Sequence, residues 1–171
     1  MNVSTGANHL FARYTIDVIS RVYLYDYQGN NLKEIELPGL GSASGFGGDK
    51  EDEIVYYSFT NYHTPSSTYS YNPSIDTSEL YWSPDIDFDP SEYTSQQVFY
   101  ESADGTPIPM MITHKKSLEY NGTNPTILYG YGGFNISCSC FCGLDNQIAT
   151  VFRHGTSNIS VFFIFFFSKN D

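Results

Sequence analysis

A mainly β architecture is what this sequence predicts, on three observations. From His9 to Trp82, short runs rich in Tyr, Val, Ile, Phe and Thr are broken by Gly, Asn, Asp, Ser and Pro, the pattern of consecutive antiparallel strands joined by turns. The same stretch repeats itself at an offset of about 45 residues. Past a proline-rich, acidic break the pattern changes to a hairpin and then a short strand that ends in glycines.

The strands in the first stretch are expected at "HLFARYTID", "RVYLYDY", "KEIELP", "SASGFGG", "EIVYYSFT", "STYSYN" and "ELYWSP". "DYQGNN" supplies a Gly-Asn hairpin turn after the second of them. "LFARYT" (Leu10 to Thr15) recurs as "VYYSFT" (Val55 to Thr60), "VYLYDY" as "TYSYNP", and "EIEL" (Glu34 to Leu37) as "ELYW" (Glu79 to Trp82). A unit of roughly 45 residues with about four strands is the size of a β-propeller blade, which this spacing favours over a generic sandwich. Residues 1–90 therefore read as about one and a half blades of a propeller. A ring so incomplete leaves strand edges and aromatic side chains open to other chains, so this segment by itself is expected to aggregate or to stay partly unfolded.

"SPDIDFDPSEY" reads as a linker, with a domain boundary near Pro90. "SQQVFYESADGTPIPMMITHKK" (Ser95 to Lys116) then reads as a hairpin about an Asp-Gly turn. "PTILYGYGG" reads as a short buried strand running into a glycine-rich turn. That is also how an α/β-hydrolase forms the backbone around its oxyanion hole, but a glycine-rich turn by itself does not single out a catalytic loop.

Three stretches, in order, carry a resemblance that covers about Leu10 to Ser137. "RVYLYDYQGNNLKEIELPGLGSASGFGG" resembles the last propeller blades of the prolyl oligopeptidases, serine peptidases in which a β-propeller caps an α/β-hydrolase domain. "VFYESADGTPIPMMITHKK" resembles the opening of their hydrolase domain, and "NPTILYGYGGFNIS" is similar to their oxyanion strand and loop, so the resemblance implies that residues 91–137 are the first strands of an α/β-hydrolase domain. The ending "YGYGGF" is closer to prolyl oligopeptidase than to oligopeptidase B. The resemblance implies that the Tyr131 hydroxyl donates to the developing oxyanion and that Phe134 lines the pocket for the substrate's proline ring. Gly130, Gly132 and Gly133 would let the backbone turn without a Cβ clash. It also implies proline-containing oligopeptides as substrates, cleaved on the carboxyl side of proline, and chemistry that needs no cofactor.

Acyl transfer by this route requires a nucleophilic Ser, a His base and an orienting acid. In the family all three lie downstream of the oxyanion loop, with the Ser in a Gly-Gly-Ser-Asn-Gly-Gly type elbow. The chain holds no such elbow and no Gly-x-Ser-x-Gly; "GLGSASG" (Gly39 to Gly45) comes nearest, but no serine of it is central. His9, His63, His114 and His154 are expected to be surface or turn residues rather than bases. Nucleophile, base and acid are therefore absent, and these residues are expected to be catalytically incomplete. The alternative is a non-catalytic propeller-type binding module that takes a peptide or pairs with a partner's sheet edge.

Residues 138–171 depart from the family pattern and read as a non-family tail, as a frameshift or retained intron would give. Cys138, Cys140 and Cys142 alternate on one strand face, but a structural zinc site wants four ligands, commonly with two to four residues between paired cysteines, so no metal is expected. The net charge of −11, from 8 Lys and Arg against 19 Asp and Glu, repels phosphate backbones, so no nucleic-acid partner is expected. "ISVFFIFFF" (Ile159 to Phe167) is too short to span a bilayer, which takes roughly 20 residues, and the first residues show no secretory signal. A cytoplasmic protein without a membrane or specific protein partner is the expectation.

Overall fold

The computed structural model describes residues 1–87, 89–131 and 160–165. It divides into two units, Met1–Asp85 and Ile86–Asp171. The division falls inside "SPDIDFDP", a few residues before the boundary expected at Pro90.

The first unit is two four-stranded antiparallel sheets. One runs β1 (Asn2–Gly6), β2 (His9–Ile16), β3 (Ile19–Tyr25), β4 (Asn31–Ile35); the other runs β5 (Ser42–Gly47), β6 (Val55–Thr60), β7 (Ser67–Asn72), β8 (Thr77–Trp82). All seven expected strands are present, and the repeat noticed in the sequence pairs equivalent strands: β2 with β6, β3 with β7, β4 with β8. The expected one and a half blades is corrected to two sheets of equal strand number. The missed strand, β1, is the polar "NVSTG", with only its last residue buried, so no run of β-formers announced it.

Turn chemistry explains the hairpins. Ala7–Asn8 and Asp17–Val18 are two-residue loops with positive φ throughout (48° and 58°, 48° and 64°), the mirror-image turns whose twist suits a tight hairpin. Val18 is β-branched and pays steric strain for that φ; its side chain is buried, which offsets the strain. The expected Gly-Asn two-residue turn is instead a wider loop, since Tyr25 pairs with Asn31. The Asp26 carboxylate closes it by accepting from the backbone N–H of Gln28 and Asn30 at 3.0 and 2.8 Å.

The core lies between the two sheets. Phe11, Val22, Leu24 and Ile35 face Ala43, Phe46, Val55, Tyr57, Phe59 and Tyr71. Phe46 is the centre: its ring stacks on Tyr57 at 4.4 Å and on Phe11 at 5.4 Å, and meets Tyr71 edge-on at 6.4 Å. It reaches that place through a bulge. The pairing of β5 with β6 shifts between Gly45 and Gly47, with Phe46 itself at φ +63°. Gly45 at φ +107° has no room for a side chain, since a Cβ there would lie 2.9 Å from the Tyr56 carbonyl. Polar groups also join the sheets: Arg13 Nη1 donates to the Ala43 carbonyl at 2.6 Å, Ala7 N–H to Asp49 at 2.9 Å, and the Ala43 N–H to Ser20 Oγ at 3.0 Å.

The second unit is one mixed sheet in the order β11-β12-β10-β9. A 3₁₀ turn at Pro90–Glu92, capped by the Asp89 carboxylate, leads into β9 (Tyr93–Glu101); β10 (Pro107–Lys115) returns antiparallel about the expected Asp-Gly turn. β11 (Thr126–Tyr131) and β12 (Ser160–Phe165) are parallel to each other, and β12 lies between β11 and β10. The apolar run treated in the sequence as part of a tail is thus a strand with a neighbour on each side, the setting in which a short continuous apolar run is expected. No α-helix occurs among the described residues.

Candidate functional site

The sequence places the chemistry at the end of β11, and the strand reaches it. Gly130 and Tyr131 are its last two residues, paired in register with Ile164 and Phe165 of β12. Gly132, Gly133 and Phe134 lie outside the described residues, as do Cys138, Cys140, Cys142 and His154. β11 is the third strand of its sheet in chain order and runs parallel to its neighbour β12. A loop that leaves the C-terminal end of a strand in such a unit presents backbone N–H groups at the sheet's edge, where a developing negative charge can be held.

What precedes β11 is held firmly. His114, near the end of β10, is buried, and both ring nitrogens are engaged: Nδ1 lies 2.7 Å from the Lys115 carbonyl and Nε2 2.7 Å from the Tyr120 hydroxyl. A carbonyl only accepts, so Nδ1 carries the hydrogen and Nε2 accepts from the phenol. The expectation of a surface or turn residue is corrected here: His114 is a buried clamp between β10 and the loop before β11, and no free nitrogen remains to take a proton from a nucleophile. Thr113 beside it is fully buried and shares a 2.7 Å hydrogen bond with Ser95 across the hairpin. The loop is further tied by Asn124 Nδ2 donating to the Glu119 carbonyl at 2.7 Å.

The other two described histidines sit in the first unit. His9 opens β2 with Nδ1 2.6 Å from the Ala7 carbonyl, and His63 occupies a turn whose N–H groups are gathered by Asn61 Oδ1. Among the described residues no group of three or more His, Cys, Asp or Glu side chains is placed to hold a metal ion. A cleft of about 400 Å³ in the first unit, between Ile19, Ile35, Leu37 and Leu40, is bordered by the 2.8 Å Arg21–Glu34 ion pair and contains none of the residues expected to be functional.

The chain is similar to known proteins in sequence and in fold. Residues 1–84 match the family model described as prolyl oligopeptidase, N-terminal β-propeller domain. The chain is 53% identical over 148 residues to a prolyl endopeptidase of Elizabethkingia meningoseptica, taking in 86% of this chain and 21% of that protein. It is 42% identical over 130 residues to a prolyl endopeptidase of Dictyostelium discoideum, taking in 74% of this chain and 17% of that protein. The apo structure of prolyl oligopeptidase B from Galerina marginata matches with a TM-score of 0.77 at 28% identity, over 95% of this chain and 23% of that one. The chain spans about a fifth of the length of the curated relatives it matches. An alignment of 148 residues in a chain of 171 cannot be confined to residues 1–84, so the likeness runs on into the second unit.

Proposed function

The chain belongs to the prolyl oligopeptidase family, and from that premise we propose that it carries the last propeller blades and the opening strands of the hydrolase domain of a serine endopeptidase. In that reading the enzyme cleaves short proline-containing peptides after proline, in the cytoplasm, and the propeller restricts access to small substrates. The observation that carries the reading is the position of Tyr131. It ends the third strand of a sheet whose fourth strand lies parallel beside it, and in an α/β-hydrolase the loop after the third strand supplies an oxyanion-hole N–H.

On this reading Tyr131 donates its phenol hydrogen to the tetrahedral oxyanion, and the hydroxyl suits that task because an unperturbed phenol, with a pKa of about 10, keeps its proton at neutral pH. A donor of this kind is worth about 2.7–4 kcal/mol of transition-state stabilisation. Phe134 forms the flat wall of the proline pocket. The 171 residues hold no nucleophile elbow, so they form no acyl-enzyme. The test is to treat the purified chain with a serine-directed phosphonate and with a proline-containing peptide. Neither labelling nor hydrolysis is expected, and stoichiometric labelling would overturn the reading.

A second reading, a non-catalytic binding module, draws on β8. This strand is at the edge of its sheet, and Leu80, Tyr81 and Trp82 on it are 57%, 67% and 55% exposed. An unpaired edge with aromatic side chains suits strand addition by an extended peptide. A soluble monomer with a cooperative melt would support this reading, and aggregation on expression would count against it.

A further inference from the structure

In the loop that leads into β11, we infer a self-modification site: Asn121–Gly122, the one Asn-Gly pair in the chain, is arranged to cyclise to a succinimide and reopen as aspartate or isoaspartate. The reaction requires a backbone nitrogen that is free to attack, a side-chain carbonyl polarised to receive it, and access for water. All three conditions meet here.

Gly122 stands at φ +77°, with open space where a Cβ would be, and no described group accepts a hydrogen bond from its N–H. Asn121 Oδ1 accepts two hydrogen bonds, from the Thr123 N–H at 3.0 Å and from Thr123 Oγ at 2.7 Å. Two donors on one amide oxygen stabilise the negative charge that grows on it as the carbon becomes tetrahedral. Asn121, Gly122 and Thr123 are exposed, so solvent reaches the site. In the first step the Gly122 nitrogen loses its proton to solvent base and bonds to Cγ of Asn121, placing charge on Oδ1. That charge returns, the bond from Cγ to Nδ2 breaks, and Nδ2 leaves as ammonia after taking up a proton. Water then opens the imide at either carbonyl. Attack at the backbone carbonyl gives isoaspartate, with one extra carbon in the main chain.

The chain contains its own control. Asp104–Gly105 in the β9–β10 turn has the same backbone form, with Gly105 at φ +80° and open space around it. There the glycine N–H is already donated to the Ser102 carbonyl at 2.9 Å, and the carboxylate accepts from Ser102 Oγ and from the Thr106 N–H. An ionised carboxylate offers no leaving group. Reaction at Asn121 would add charge two residues from Glu119, and the isoaspartyl form would displace the Asn124–Glu119 contact that anchors the start of β11.

The experiment holds the full chain at neutral pH and physiological temperature for days, with peptide mapping and isoaspartyl-methyltransferase labelling of the parent, Thr123→Val and Thr123→Ser. The mass gain of an NH2-to-OH exchange and the isoaspartyl label are expected together on the peptide containing Asn121, with no label on the one containing Asp104. Conversion is expected to slow several-fold in Thr123→Val and to stay near the parent rate in Thr123→Ser. An Asn121 that stays intact, label at Asp104 as fast as at Asn121, or equal rates in the parent and Thr123→Val would each overturn the proposal.

Discussion

The two units handle buried surface in opposite ways. In the first, two antiparallel sheets face each other and cover one another's aromatic rings, so the core is complete within residues that follow closely in the chain. In the second, the described residues form one sheet whose buried side chains are Tyr93, Ile108, Pro109, Met111, Thr113, His114 and Leu118, while Phe99 and Leu128 are exposed. Facing sheets bury one another's inner faces, whereas the described part of the second unit is tied by hydrogen bonds of His114, Thr113 and Asn124. Stability in the first unit should therefore rest on apolar fit, and in the second on polar clamps.

The largest effect should come from removing the ring at the centre of the first unit. Phe46→Ala is expected to cost about 3–5 kcal/mol and to abolish protection of β5 and β6 while leaving β9 and β10 unchanged, as read by hydrogen exchange. Equal loss in both units would break the comparison. In the second unit, His114→Ala removes the hydrogen bond to the exposed Tyr120 hydroxyl and is expected to cost about 0.5–1.5 kcal/mol, visible as faster exchange in the loop before β11. No change there would mean that the clamp holds nothing.

The smallest effect belongs to the ion pair of Lys33 with Asp76 at 2.8 Å, to which the Tyr71 hydroxyl also donates at 2.9 Å. The hydrogen bond from Lys33, seconded by Tyr71, holds the Asp76 carboxyl below its ordinary range. A depressed carboxyl contributes stability that is present above the unfolded value of about 3.9 and is lost as pH falls through the folded one. Asp76→Asn should lower the melting temperature at neutral pH by an amount matching less than about 1 kcal/mol, since the Asp76 side chain is 55% exposed, and should flatten the acid limb of the stability profile. An unaltered acid limb would show that other carboxyls set it.

Legibility from the sequence follows the same division. Strands of the first unit could be read because hairpins are local and their alternation repeats, as in "LFARYT" and "VYYSFT". The exceptions were β1, too polar to stand out, and the turns at Ala7–Asn8 and Asp17–Val18, which adopt a glycine-type conformation without glycine. At the candidate site, β11 was legible as a strand for the same local reason, but the burial expected for it is corrected, since Ile127 and Leu128 are exposed. The place of β12 was not, since nothing in "SVFFIF" says which strands it joins; that is fixed by topology across the residues between. The burial of His114 was hidden as well, because its two partners, Lys115 and Tyr120, mark no motif.

The insertion of β12 between β10 and β11 has a consequence for biosynthesis. The ribosome finishes β10 at Lys115 and β11 at Tyr131, but the strand that must enter between them ends at Phe165. At roughly 5–20 residues per second, the facing edges of β10 and β11 wait on the order of seconds for their shared neighbour. During that interval the nascent chain offers two open hydrogen-bonding edges to any extended segment nearby, whereas each propeller hairpin can pair as soon as its second strand emerges.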